Sequence, residues 1–294
     1  MRQLVNPFEL PGKWYKANLH THTTTSDGAA SISERVLQYR DAGYDVLAIT
    51  DHGCSNDVRS LSNKKMLVIS GMEYHPQCDA SPIKYHIVAL NIPQGFTFAD
   101  KDNARCCIDQ VRKVGGENFL AHPYWSRHTY MEIKELVDKF VAMEIYNSTC
   151  DRHGQADSEN EWSYCLDKGY ILPIIGCDDV HCAEGEDLFE SWTWLKMTSL
   201  NAANVLAALR RGACYVSCGP QIRDFRIKDE RVTLNCSAVQ KIYFIGGPGL
   251  GSRRRAERSK SIKTYTIDIP NWSYVRAVIV DAMGRRAWTN PIFI

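Results

Sequence analysis

No stretch of the sequence offers the roughly 18 consecutive apolar residues that a membrane-spanning helix requires. The amino-terminal segment MRQLVNPFELPGKWYK also lacks the apolar run of a secretory signal. A cytoplasmic chain with no membrane partner is the expectation. Charge of one sign is not in excess either: 35 Lys and Arg face 34 Asp and Glu, a net charge of +1. Binding to a polyanion draws on a concentrated basic face, so no nucleic-acid polymer is expected as a partner. The one basic run, Arg253 to Arg255 with Arg258 and Lys260, reads as a solvated turn beside glycine-rich sequence. Paired CxxC motifs are missing although there are eleven cysteines. That excludes a disulfide scaffold or a zinc ribbon and leaves reduced, mostly buried thiols. Internal repeats and low-complexity segments are missing too.

What is present is alternation. Short apolar, β-branched runs at Lys16–Leu19, Val46–Thr50, Leu67–Gly71, His86–Leu90, Asn118–Ala121, Val141–Tyr146 and Ile171–Ile175 read as strands. Helical patterns fall among them at Ser31–Ala42, Asn103–Val114, Met131–Phe140, Ser158–Lys168 and Asn201–Arg211, the first opened by a Ser31/Glu34 capping box and followed by Gly43. This repetition predicts an α/β fold with a mainly parallel sheet or barrel. From about Pro220 the pattern changes to strand-length runs separated by turn signals, with no helical period between them. We read residues 1–219 as one unit and 220–294 as a small all-β sandwich. All nine histidines lie between His20 and His181.

The chemistry collects where the strands end. His20-Thr21-His22 leaves the first strand, with Asp27 close behind; Asp51-His52 leaves the second, Glu73 the third and His122 the fifth. Asn147 ends the sixth, and Asp179 with His181 follows the seventh. In parallel βα units these ends share one mouth. His86 opens its strand instead, but the short connection from Tyr74 to Tyr85 has no helical period, so an antiparallel return brings His86 beside Glu73. His20, His22, Asp27, His52, Glu73, His86, His122, Asp179 and His181 then offer nine nitrogen and oxygen donors. That is more than one catalytic ion with an open position needs, so two or three divalent ions are implied, with Glu73 as the bridge. Donors of this type without thiolate suit Mn, Fe or Zn. Cys177 and Cys182 flank the Asp179 segment and read as small buried thiols. Asp51 is either an orienting partner for a ligand imidazole or a turn cap. Arg127 with His128, and Arg152 with His153 beyond Asn147, either clamp an anion or are solvated loop residues. His75 reads as a rim residue, and the role of Glu144 stays open.

In this order, HxHT…SDG, TDH, GxE, a strand-opening His, AHP and DDxH resemble the PHP family, named for polymerase and histidinol phosphatase domains. The resemblance covers about Lys16 to Cys218. It implies a distorted seven-stranded (β/α) barrel with a two- or three-metal site. The tail is similar to the β-sandwich that follows the barrel in one branch of PHP hydrolases, where a segment like Trp288 to Pro291 closes the chain. The resemblance further implies one ion on His20, His22, Glu73 and Asp179, a second on Glu73, His86 and His122, and a third on Asp27, His52 and His181. The departure is Asp27, where several members have His.

The expected activity is that of a metal-dependent phosphoesterase, a phosphatase or phosphodiesterase, acting on a small phosphorylated metabolite or nucleotide. A metal-activated hydroxide would attack phosphorus, with Glu73, Asp51 and Asp179 as the catalytic carboxylates and Arg127, His128, Asn147 and Arg152 as candidate substrate contacts. Two alternatives stand beside it: hydrolysis of non-phosphate esters or amides, and a metal-stabilised binding module without catalysis. The substrate and the oligomeric state are not legible.

Overall fold

The computed structural model describes residues 3–79 and 81–294. Strands and helices alternate first: β1 Lys13–Asn18, α1 Ile32–Asp41, β2 Val46–Ile49, β3 Leu67–Tyr74, β4 Ile87–Leu90, α2 Ala104–Lys113, β5 Glu117–Leu120, α3 Tyr130–Leu136, β6 Ala142–Asn147, α4 Glu159–Asp167, β7 Ile174–Cys177, β8 Trp192–Met197, α5 Ala202–Arg211 and β9 Cys214–Ser217. The tail is all strand: β10 Ile222–Lys228, β11 Arg231–Val239, β12 Lys241–Ile245, β13 Gly251–Arg255, β14 Ile262–Asp268, β15 Tyr274–Val280, β16 Arg286–Thr289 and β17 Ile292–Phe293. The capping box forms as the sequence predicts. Glu34 N donates to Ser31 Oγ at 3.3 Å, and Ser31 N donates to Glu34 Oε2 at 2.7 Å.

From β1 to β7 the strands pair in chain order, parallel except on the two sides of β4. The short β3–β4 connection does return antiparallel, with Glu73 opposite Val88 and Tyr74 opposite Ile87. β2, β4, β5 and β7 are buried at every position. That is why their runs show no alternation of apolar and polar faces, and in β5 even Glu117 and Asn118 are buried. Beyond the strand ends, Thr21 forms a parallel bridge with Val180. Asp179 N donates to His20 O at 3.0 Å and His22 N donates to Val180 O at 3.1 Å. The first and last strands of the row therefore meet at its carboxyl side.

Two strands and one turn depart from the sequence reading. β8 and β9 follow β7, β8 pairing antiparallel with β1 and with β9. The Trp-Thr-Trp-Leu-Lys-Met run of β8 alternates half-buried and buried residues, because one face meets the core and the other meets aromatic neighbours. The Arg253–Arg255 run is not a turn. It lies in β13, the edge strand paired with β12, where exposed cationic side chains discourage further strand pairing.

The sheet continues into the tail, since β16 pairs with β9, β15 with β16 and β12 with β15. β10, β11 and β14 form a separate three-stranded sheet. Phe225, Val232 and Leu234 of that sheet share one apolar core with Ile242, Phe244, Val275 and Ile279. Tyr215 of β9 belongs to the same core, and Trp14 and Trp194 pack against it. All eleven cysteines are free thiols, mostly buried. No helix among the described residues is long and apolar enough to cross a membrane.

Asn290 ties the tail to β7 and β9. It accepts from Ile174 N at 3.0 Å and donates to the carbonyls of Gly212 and Cys214, each at 3.2 Å. Asn290→Ala would leave these buried groups unpaired, so a loss of about 1–3 kcal/mol is expected. Urea denaturation followed by fluorescence checks it, and a shared core predicts that tryptophans on both sides of Pro220 report one transition.

Candidate metal centre

Where β1 frays, the Asn18 side chain donates to His20 O at 3.0 Å and to Thr21 Oγ1 at 2.7 Å. This holds the backbone so that His20 and His22, two residues apart, both face inward. The following loop is fastened by Asp51, which accepts from Thr23 N, Thr23 Oγ1, Ser26 Oγ and Asn56 Nδ2 at 2.6–2.8 Å. Gly28 lies so close that a Cβ there would sit 2.4 Å from the backbone carbon of His22. His122 and Asp179 adopt positive φ, 26° and 55°. Such strain in non-glycine residues persists only where the surroundings over-determine it.

These elements gather three adjoining sets of donor atoms. His20, His22, Glu73 and Asp179 form the first set and are all buried. In it His20 Nε2 lies 3.2 Å from Glu73 Oε2 and 3.1 Å from Asp179 Oδ1, and His22 Nε2 lies 3.3 and 2.9 Å from the same oxygens. Glu73 Oε1 faces the second set, His86 Nδ1 at 2.8 Å and His122 Nε2 at 3.5 Å. The third set adds Asp27, His52 and His181 to His22. Asp27 Oδ1 is 3.6 Å from His22 Nδ1, while Asp27 Oδ2 is 3.4 Å from His52 Nε2 and 3.5 Å from His181 Nε2. His75 Nε2, 3.3 Å from Glu73 Oε1, joins a further group with His52.

Donors held about 2.0–2.2 Å from one ion lie roughly 3–3.5 Å from each other, and these sets have that spacing. Several of the atoms also lack a hydrogen bond despite being buried: both nitrogens of His22, Nδ1 of His52 and Oδ1 of Asp179. Buried polar atoms are normally paired. Close approach without hydrogen-bond alignment is the mark of ligands aimed at a common centre. The donor set is nitrogen and oxygen, since burial pushes the nearby Cys150 and Cys177 thiols up and keeps them protonated. The residues thus fit divalent transition ions, and more than one.

Electrostatics agree. Burial opposes charge on His20, but Asp179, Glu144 and Glu73 outweigh it and raise its pKa well above the usual histidine value. Burial is likewise outweighed at His22, held at about 9 by the close carboxylates of Asp179 and Glu73. Burial would raise Glu73, yet His20, His122 and His22 bring it well below the carboxylate range. At His52 burial prevails and lowers the imidazole to about 4. The pocket is built for added positive charge, which protons on His20 and His22 supply when no ion does.

Glu144 was not identifiable as a functional residue from its place in the sequence. It is fully buried. Its Oε1 accepts from His20 Nδ1 at 2.8 Å, and its Oε2 accepts from His122 N and Asn147 Nδ2, each at 2.9 Å. It therefore leaves Nε2 of His20 free for an ion, as Ser126 Oγ at 3.0 Å from Nδ1 does for His122. Asp178 acts one step further out. Burial pushes it up to about 6, and it accepts from Tyr39, Ser148 and the backbone at Phe189, Glu190 and Ser191.

A cleft of about 410 Å³ opens over the donors, lined also by Trp125, Thr149, Cys150, Arg152 and His153. Trp125 packs edge-on against His86 and His122, with centroids 5.5 and 5.2 Å apart. Arg152 Nη2 is 3.3 Å from Asp187 Oδ1 and bonds Cys182 Sγ. Asn147 donates to Glu144 and, at 3.1 Å, to Asp179 Oδ2. Arg127 is exposed beside the Tyr124 ring, away from the cleft lining. His128 is neither a clamp nor a solvated loop residue: it is buried, with Nε2 donating to Lys84 O at 3.1 Å. Asp51 serves the loop through the four bonds above.

No protein-family model matches the sequence, and no curated protein matches it. Among solved structures, the chain is similar to a two-domain protein from Bacteroides vulgatus containing a predicted PHP-like metal-dependent phosphoesterase: 16% identity over 99% of each chain, with a TM-score of 0.57. The chain has a similar fold across nearly its whole length, and the ordered motifs led us to expect a PHP-like fold from about Lys16 to Cys218. Endonuclease Q from Pyrococcus furiosus also matches (12% identity, 67% of this chain, 56% of that one, TM-score 0.47). So does endonuclease Q in complex with a 27-mer duplex bearing an abasic lesion at its active site (12%, 67% and 57%, TM-score 0.46). That complex corrects the exclusion of nucleic-acid polymers. Net charge is a poor basis for it, because a cluster of cations can itself supply the attraction for phosphate.

Glu144→Gln keeps the shape but removes the charge that orients the His20 imidazole and accepts from the His122 backbone. A 10- to 100-fold loss of metal affinity is expected, with far-ultraviolet circular dichroism unchanged; competition with a chromophoric chelator measures it. Gly28→Ala should displace the loop from His22 and destabilise by about 1–3 kcal/mol, read as a lower melting temperature together with reduced metal content.

Proposed function

We propose that this chain is a metal-dependent phosphoesterase built on a distorted seven-stranded barrel. One observation carries the reading: three mostly buried sets of donors adjoin around Glu73, with their ligand atoms spaced as coordination requires and several of those atoms buried without a hydrogen bond. His20, His22, Glu73 and Asp179 would hold one ion, Glu73, His86 and His122 a second, and Asp27, His52 and His181 a third, as Mn, Fe or Zn. When bound, such ions supply Lewis acidity toward a phosphoryl oxygen and a lowered pKa for water.

The chain's own groups do the rest. Glu73 keeps its two carboxylate oxygens apart, one toward each of the first two sets. Glu144 and Ser126 fix the ring orientations of His20 and His122. Arg152, braced by Asp187, presents a guanidinium to an anionic substrate group. Of the cleft carboxylates, Glu73 and Asp179 are buried while Asp27 is exposed, so the third set is the one open to solvent. Trp125, donating to His153 Nδ1 at 3.3 Å, forms one wall of the cleft. Residues 1–219 carry the chemistry and 220–294 support it. The substrate class is phosphoester: a small phosphorylated metabolite or nucleotide, with nucleic-acid phosphodiesters included.

The test uses chelator-stripped protein restored separately with Mn, Fe, Zn or Mg and assayed on phosphomonoesters, phosphodiesters and carboxylic esters. Elemental analysis of protein purified without chelator should give more than one transition-metal equivalent per chain, and one of the first three metals should restore phosphoester hydrolysis. Turnover confined to carboxylic esters would overturn the substrate class, and full activity without metal would overturn the whole reading. Glu73→Gln should lower kcat roughly a hundredfold, about 2.7 kcal/mol. Because residues of one cluster act as a unit, combining it with His122→Ala should cost far less than the sum of the single losses.

A further inference from the structure

A second cavity, of about 670 Å³, lies directly behind the rim of the metal cleft. The same strand exits build both. His52 lines the cleft and Gly53 the second cavity; Glu73 lines the cleft and Met72, Tyr74 and His75 the second cavity. The partition is one imidazole thick, because the His75 ring lies 5.0 Å from that of His52 and 4.2 Å from that of His86. Its Nε2 is 3.3 Å from Glu73 Oε1. The opposite wall comes from the segment after β4, which has no helix or strand of its own before α2. That segment is fastened where Phe96 N donates to Ser55 Oγ at 3.1 Å and Gln77 N donates to Asp102 O at 2.9 Å.

The lining has a definite chemistry. Tyr74 and Phe98 rings stand 4.6 Å apart and Phe96 and Phe98 rings 5.2 Å apart, with both phenylalanines only partly buried. This is an aromatic wall left open on one side. Lys84 and Lys101 line the same cavity, and neither ammonium group has an ion pair or hydrogen bond among the described residues. Gln77, Thr97 and Asp102 add donors and acceptors at the edge. Ligand sites of this size combine an apolar surface with a few polar groups that fix orientation. A ring can use both the aromatic wall and the mixed polar edge, whereas an alkyl chain leaves the edge unpaired.

We propose that this second cavity is the subsite for the organic part of the substrate, a planar aromatic group carrying one anionic charge beyond the scissile phosphoester, which itself sits over the metal donors. The ring rests on Phe96 and Phe98, its extra anion meets Lys84 and Lys101, and the link to the scissile group passes the His75 partition. This assignment rests on the phosphoesterase reading for the identity of the substrate but not for the existence of the binding site.

The test separates the two. Metal-loaded protein is first saturated with inorganic phosphate to fill the metal cleft, then titrated with naphthalene-2-sulfonate, which has a ring and an anion but no phosphoester, while ligand fluorescence is followed. Saturable binding is expected, weakened about tenfold or more by Phe98→Ala and by Lys84→Ala and unaffected by Lys263→Ala on β14. Phe98→Leu, which keeps apolar volume without the ring, should also weaken it and serves if the alanine variant does not fold. Octanesulfonate should bind poorly. In turnover assays Phe98→Ala should raise KM for a sulfonated naphthyl phosphate about tenfold and leave glycerol phosphate within about twofold. Absence of saturable binding, equal binding of octanesulfonate, or indifference to both Phe98 and Lys84 overturns the subsite. Sulfonate binding with the expected losses but no turnover of any phosphoester upholds the subsite and overturns the phosphoesterase reading instead.

Discussion

Glu73 and Asp179 are carboxylates withdrawn from water, and the site depends on what that withdrawal demands. A buried anion is tolerated only when it is paired and hydrogen-bonded. Here the pairing comes from imidazoles supplied by the ends of separate strands. The antiparallel return of β4 exists, in functional terms, to bring His86 against Glu73 Oε1. The Thr21–Val180 bridge does the same for Asp179, which lies more than 150 residues beyond His20 and His22 in the chain yet shares one set with them. Positive φ at His122 and Asp179 is tolerated because these contacts over-determine the backbone.

Much of this was legible in the sequence because strand exits concentrate function: a polar residue with a metal-binding side chain, directly after an apolar run, points to the mouth whatever the details of the sheet. Glu144 escaped for the complementary reason. It lies inside β6, where Ala142, Met143 and Ile145 are buried as well, so no alternation marks which residue faces the interior. Trp125 and the Phe96–Phe98 segment escaped because irregular backbone has no period, and only the closed arrangement shows what it covers. The Arg253–Arg255 run misled because the strand signal is apolar alternation, and an edge strand with exposed cations has none.

The division at Pro220 marks a change of sequence pattern more than a break in structure. β16 pairs with β9, and the core between the two tail sheets includes Tyr215. Trp288 Nε1 donates to Glu159 Oε2 at 3.0 Å and Arg276 Nη1 donates to Glu159 Oε1 at 2.7 Å, which fixes α4 from outside. Such a contact is too extensive in hydrogen bonding and apolar packing for the tail to swing as a tethered module.

That rigidity reaches the site through one short segment. The turn Thr149–His153 places Cys150, Arg152 and His153 along the metal cleft. Asp151 of the same turn, with Gly154 just after it, lines a cavity of about 370 Å³ whose far side is Arg285, Arg286 and Trp288. Arg286 Nη1 donates to Asp157 Oδ2 at 2.7 Å, closing the base of that cavity. The cleft lining itself runs only from Asp27 to His181. The tail therefore offers the cleft no donor; it backs the turn from which Arg152 reaches inward. In the proposed phosphoesterase, an Arg152 that meets an anion without first having to order its own loop gains from such support, which would give the all-β tail a physical reason to be built into the same sheet as the strands that carry the donors.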